Sequence, residues 1–204
     1  MVIQQISRRR FLQTGLCGLT VGVGLGLPLM FQPSPAWALN HIRPPGALDA
    51  NAFDAACIRC GLCVQACPYD TLRLFGLDGS AQGGTPYFVA REVPCEMCPD
   101  IPCLQACPTG ALDPGLQDIN DATMGVAVLS HPELCNSYVG NSFCDSCVRA
   151  CPLQGQAISL VVGPTAMGGL FTPTVDPDIC TGCGKCEHAC IAEPAAIRVV
   201  PHHA

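Results

Sequence analysis

The sequence predicts an α+β fold built from short strands, short helices and long cysteine loops. Three observations predict it. Sixteen of the 17 cysteines lie beyond residue 38 and fall into four groups of four with related spacing. With 21 glycines and 19 prolines among 204 residues, regular elements must be short and loops long. One Trp, three Tyr and seven Phe leave a thin core, so the chain needs staples to be stable.

Residues 1–38 read as an address. Ser7-Arg8-Arg9-Arg10-Phe11-Leu12 leads into an uncharged stretch reaching Phe31, and Ala36-Trp37-Ala38 follows. A charged start, an apolar middle and small residues at Ala36 and Ala38 describe a removable signal, cleaved after Ala38. Arg8 and Arg9 followed by Phe-Leu resemble the twin-arginine export signal. Glycines at 15, 18, 22, 24 and 26 keep the middle only weakly apolar. An uncleaved membrane anchor is the alternative, since about 20 apolar residues suffice to span; those glycines and Pro28 weaken it. Cys17 leaves with the signal and is the odd cysteine out. Proteins exported this way resemble one another in crossing the membrane folded. Metal could then be loaded before the thiols meet an oxidising compartment. The expected location is the periplasm, at the inner-membrane surface through a partner.

Residues 39–204 carry the four boxes. Box one (57–67) is Cys57, Cys60, Cys63 and Cys67, followed by Pro68. Box two (95–107) is Cys95, Cys98, Cys103 and Cys107, followed by Pro108. Box three (135–151) is Cys135, Cys144, Cys147 and Cys151, followed by Pro152, and box four (180–190) is Cys180, Cys183, Cys186 and Cys190. Nearly equal steps separate each box from the next, which marks an internal repeat. An apolar residue follows each box: Leu72, Leu112, Ile158 and Ile197. Strand-like runs lie at 86–90, 157–162 and 197–200. The expected unit is a cysteine loop, a short helix opening at the last Cys, and a short strand, four times over.

Boxes one and four are C-x₂-C-x₂-C-x₃-C, the run that ligates cubane clusters in bacterial ferredoxins, where the fourth Cys ligates the other cluster of a pair. The expected fold is therefore ferredoxin-like and the expected cofactors are four [4Fe–4S] clusters on sixteen cysteines. Structural zinc usually needs two C-x₂-C pairs across a longer gap, and four repeated triplets make an odd disulfide framework. Box two widens between Cys98 and Cys103 and box three between Cys135 and Cys144. Each still sets a close pair beside a lone Cys. Box four has Ile191 where Pro is expected.

Arg43-Pro44-Pro45-Gly46-Ala47, Cys67-Pro68-Tyr69-Asp70-Thr71-Leu72 and Gly84-Thr85-Pro86-Tyr87-Phe88-Val89-Ala90-Arg91 carry a more specific resemblance. With Pro94-Cys95-Glu96-Met97-Cys98 and the run 180–187, the chain resembles the NapG/MauM ferredoxin-type family. The resemblance implies the periplasmic iron–sulfur component of a quinol dehydrogenase. Electrons would come from a NapH-type membrane iron–sulfur protein that oxidises quinol. They would go to a cytochrome or the molybdenum-containing nitrate reductase system, or to a MauM-like pathway of methylamine utilisation. By resemblance to exported four-cluster subunits, the outer boxes pair and the inner boxes pair. One cluster would use Cys57, Cys60, Cys63 and Cys190, and its partner Cys180, Cys183, Cys186 and Cys67. The inner pair would use Cys95, Cys98, Cys103 and Cys151, then Cys135, Cys144, Cys147 and Cys107. Pairing of neighbouring boxes is the alternative.

Other residues carry less. Beyond residue 38, seven Lys+Arg face sixteen Asp+Glu, which argues against nucleic acid as a ligand. Histidines 41, 131, 188, 202 and 203 do not replace cysteines as a Rieske site requires, and His188 reads as a surface residue. Asp70, Glu96 and Asp100 read as solvated charges. No nucleophile–base pairing or phosphate loop is evident, so no catalysis on a metabolite is expected from this chain alone. Two other roles fit the same motifs: a subunit bound directly to an exported molybdoenzyme, and a cluster-binding assembly or maturation factor.

Overall fold

The computed structural model describes residues 41–76 and 82–202. The signal at 1–38, with Arg8, Arg9, Cys17, Ala36 and Ala38, lies outside the described residues.

The first half of the described chain contains α1 (Ala50–Ala56), α2 (Leu62–Ala66), β1 (Arg73–Leu74), β2 (Pro86–Tyr87) and α3 (Pro102–Gln105). The second contains β3 (Gly125–Leu129), α4 (Asn136–Val139), α5 (Ser146–Ala150), β4 (Ile158–Val162), β5 (Phe171–Val175), α6 (Lys185–His188) and β6 (Ile197–Pro201). The class is α+β, with short elements throughout.

The repeating unit holds two boxes, not one. In each half an antiparallel hairpin separates the boxes: β1 with β2, Arg73 opposite Tyr87, and β4 with β5, Ile158 opposite Val175. In each half an extended lead also meets the segment after the second box. Ala47 bridges Leu112 in the first half. In the second, β3 pairs antiparallel with β6 from Gly125–Pro201 to Leu129–Ile197. The strand expected after box two is thus reduced to a single bridge at Leu112. Leu72, Leu112, Ile158 and Ile197 are all buried, as the repeat predicts.

Each helix sits before the fourth Cys of its box rather than opening there. Cys67 and Cys151 are the extended residues that end α2 and α5. Pro68 and Pro152 explain the stop, because a residue preceding proline is pushed out of the helical region. In β6, Ile197, Val199 and Pro201 are buried while Val200 is exposed, the period of two expected of a strand with one face on a core. Gly182 packs on that same sheet: a Cβ there would lie 2.3 Å from the backbone nitrogen of Gly125. Only glycine allows the box-four loop so close to β3.

Candidate metal centres

The cysteine loops turn by an unusual backbone route. In boxes one, two and four the residue before the second Cys is left-handed: Arg59 (φ 58°), Met97 (φ 59°) and Gly182 (φ 73°). The residue that caps the following helix is left-handed too: Gly61 (φ 74°), Ile101 (φ 41°) and Gly184 (φ 87°). Alternating conformations of this kind turn successive N–H groups inward, the nest found at many iron–sulfur sites. Arg59, Met97 and Ile101 bear side chains there at a conformational cost, which is usually kept only where function demands it. Box three solves the turn differently. Its long gap folds as α4, and the Ser137 hydroxyl donates to the Cys144 carbonyl at 2.6 Å and accepts from its N–H at 2.8 Å.

These loops and helices bring the cysteines together by fours. Cys57, Cys60 and Cys63 line one cavity with Cys107. Cys95, Cys98 and Cys103 line a second with Cys67. Cys180, Cys183 and Cys186 line a third with Cys151, and Cys135, Cys144 and Cys147 a fourth with Cys190. Every box lends its fourth Cys to its neighbour. The outer-with-outer and inner-with-inner pairing expected by resemblance is therefore incorrect, and Cys190 does not complete box one. The hairpins give the reason. Each folds one box straight back onto the next, closing a shorter loop than outer pairing would, at a smaller entropic cost.

The four cavities are alike in size, about 20 Å³ each, as four copies of one arrangement would be. None of the sixteen described cysteines is in a disulfide. Among the described residues, no three His, Cys, Asp or Glu side chains converge closely enough to hold a single metal ion. Four thiolates are the donor set of a [4Fe–4S] cluster, so the residues present fit it.

Electrostatics agree with that donor chemistry. Burial pushes the Cys63 thiol up to about 11, with Cys57, Cys107 and Cys60 adding to the rise. It pushes Cys95, Cys103 and Cys147 up to about 12. Crowded, buried thiolates of one sign are unfavourable without a cation among them, and iron supplies it. Cys107 is the exception. Burial raises it, but hydrogen bonds from the backbone of Leu112, Thr109 and Ala111 and from the Thr109 hydroxyl outweigh burial and lower it.

Some residues around the cavities were not read as functional from sequence. Glu96 is not a solvated charge: it forms an ion pair with Lys185, joining boxes two and four. Arg91 donates to the carbonyl of Cys190 at 2.7 Å from the other half of the chain. Nothing in a local window signals either pairing. His188 is exposed, as expected, with Nδ1 3.0 Å from the Arg91 carbonyl. His41 packs tilted against Phe75 and edge-on against Tyr87, at 4.8 and 4.5 Å between ring centres, while those two rings stack on each other. Asp70 and Asp100 are exposed.

Comparison with known proteins matches this arrangement. The 4Fe-4S dicluster domain family matches residues 56–111, which hold boxes one and two, and 142–193, which hold box four and box three from Cys144 onward. The ferredoxin-type protein NapG of Haemophilus influenzae is 53% identical over 201 residues, covering 96% of this chain and 72% of the relative. NapG of Escherichia coli is 50% identical over 202 residues, covering 97% and 87%. The methylamine utilization ferredoxin-type protein MauM of Methylophilus methylotrophus is 50% identical over 198 residues, covering 97% and 86%. Similarity at this level over nearly the whole chain, together with paired cysteine boxes, makes this an iron–sulfur electron-transfer protein, and the chain belongs to the NapG/MauM family of ferredoxin-type proteins.

Proposed function

We propose that the sixteen cysteines hold four [4Fe–4S] clusters and that the protein relays electrons in the periplasm. On this reading a membrane protein of the NapH type oxidises quinol and supplies the electrons, and a cytochrome or the nitrate reductase system receives them. One observation carries the cluster count: four cavities, each lined by three cysteines of one box and one of its neighbour. The clusters would supply one-electron chemistry; the chain's part is to hold sulfur in order. That order is linear. The first and second cavities exchange Cys107 and Cys67, the Cys95 N–H donates to the Cys183 carbonyl at 2.8 Å between the second and third, and the third and fourth exchange Cys151 and Cys190. Consecutive cavities thus form a row suited to relay rather than four isolated sites.

Among the described residues, no helix is long and apolar enough to cross a membrane. On this reading, access to a quinol pool comes through the membrane partner. The test is iron and acid-labile sulfide on anaerobically purified protein, with EPR of the reduced state. About sixteen of each per chain, with signals of interacting clusters, is expected for four [4Fe–4S] centres. Eight of each, or zinc, would reject the count.

The similarity to MauM, as high as that to NapG, favours a second reading of the recipient: a relay in methylamine utilisation. Reoxidation of the reduced protein by a nitrate-reducing system, but not by a methylamine-oxidising one, would decide for the first.

A further inference from the structure

We propose that Arg91, a residue of the first half, is a positioning residue for the centre that Cys190 completes in the second half, and that its charge raises that centre's reduction potential. The inference rests on reading the four cavities as [4Fe–4S] sites.

Arg91 reaches its partners across 96 to 102 residues of sequence. Its Nη1 donates to the carbonyl oxygens of Cys190 at 2.7 Å, Glu187 at 2.8 Å and His188 at 3.2 Å. Its Nη2 donates to the Ala192 carbonyl at 3.0 Å and to Oε2 of Glu193 at 2.8 Å. The carbonyls at the end of α6 are among those a helix leaves without an internal partner, and a helix this short cannot satisfy them itself. One rigid, planar, permanently charged fork with five donors satisfies several at once. A lysine could not span the same set.

The segment so gathered, 187–193, is the one that carries Cys190. The Cys190 sulfur lines the cavity with Cys135, Cys144 and Cys147, and it accepts from the Ala196 N–H at 3.3 Å. Fixing the Cys190 carbonyl therefore fixes a donor of the fourth cavity. The clamp is returned from the other side, because His188 Nδ1 lies 3.0 Å from the Arg91 carbonyl. The matching donor of the first half, Cys107, is held instead by backbone N–H groups and the Thr109 hydroxyl. Both fourth sulfurs thus accept from neutral donors, and the second half adds a cation on the ligand's backbone carbonyl.

The charge acts in a definite direction. Reduction adds an electron, and a fixed positive charge on the backbone of a ligand residue favours it. The Arg91 side chain is 30% exposed whereas that of Glu193 is 81% exposed, so water screens the counter-charge more than the guanidinium. Glu187 is buried, and its Oε2 accepts from the Val199 N–H at 2.7 Å, which ties it to β6.

The test is an EPR-monitored redox titration of wild type, R91K and R91Q, with a chelator challenge followed by iron content. C190S identifies the signal of the fourth cavity by its loss. In R91Q that one signal is expected to move to lower potential while the others stay, and its iron should be the first lost. R91K keeps the charge but not the fork, so its midpoint should stay near wild type while its iron is still lost early. If R91Q yields no holoprotein, R91M, neutral and of similar length, takes its place in the same comparison. An unmoved midpoint with unchanged iron retention overturns the proposal. So does a uniform shift, or loss of all iron, in both variants, which would assign Arg91 to general folding. Wild type lacking four clusters overturns the reading of the cavities, and the inference falls with it.

Discussion

The backbone N–H of Cys95 donates to the carbonyl oxygen of Cys183 at 2.8 Å, so box two of the first half hydrogen-bonds directly to box four of the second. Around that contact the Thr181 hydroxyl meets the Met97 sulfur at 3.5 Å, Lys185 pairs with Glu96, and Gly184 lies against Ala90. The two dicluster halves thus meet at their middle cavities, leaving one cavity at each end.

Neighbour pairing fixes which sites a single cysteine damages. C190S should strip the site of Cys135, Cys144 and Cys147 and leave box one intact, and C107S should strip the site of Cys57, Cys60 and Cys63. Each variant is expected to lose about a quarter of its iron on a four-cluster protein. EPR would show the same loss as one missing signal. Loss of box-one iron in C190S would contradict the geometry.

Gly184 guards the contact between the halves. It has φ +87°, and a Cβ there would lie 2.4 Å from the Ala90 Cβ. G184A must adopt an unfavourable backbone and push Ala90 away, costing about 1–3 kcal/mol for the conformation alone. A fall in Tm of roughly 2–4 °C per kcal/mol is the expected readout. An unchanged Tm would mean the halves are held elsewhere.

The Lys185–Glu96 pair sits at the same contact, with side chains 22% and 34% exposed. Partial exposure and side-chain entropy limit such a pair, so E96Q should cost about 1 kcal/mol or less. That cost should shrink further in high salt. Thermal melts at low and high ionic strength would separate it from the larger, salt-independent effect of G184A.

Removing iron should cost far more than either substitution. The core is thin, and sulfurs such as Cys95, Cys103 and Cys147 sit where burial disfavours their charged form. Metal binding free energy is then folding free energy. Anaerobic chelation under reducing conditions is expected to lower Tm by well over the shift of any single variant, with loss of far-UV circular dichroism. Retention of the holoprotein melt after full iron loss would place the stability in the polypeptide instead.

A candidate donor set is legible in the sequence alone, because cubane ligation is local. In boxes one and four, three cysteines within one tight turn and a fourth a helical turn later announce their chemistry in a single window. The buried positions Leu72, Leu112, Ile158 and Ile197 were legible for the same reason, each standing at a fixed offset from its box. Helix placement differs from the expectation of a helix opening at the last Cys: Pro68 and Pro152 push the preceding cysteine out of the helical region, so the helix ends there. Which boxes share ligands, and how the halves join, emerges only when the chain is folded. Outer and neighbour pairing place the same residues in the same local loops. The choice between them lies in hairpins β1–β2 and β4–β5, which bring adjacent boxes together at lower loop-closure cost. Arg91 and Cys190 are further still from local legibility. Their contact depends on the packing of one half against the other, which no window of the sequence contains.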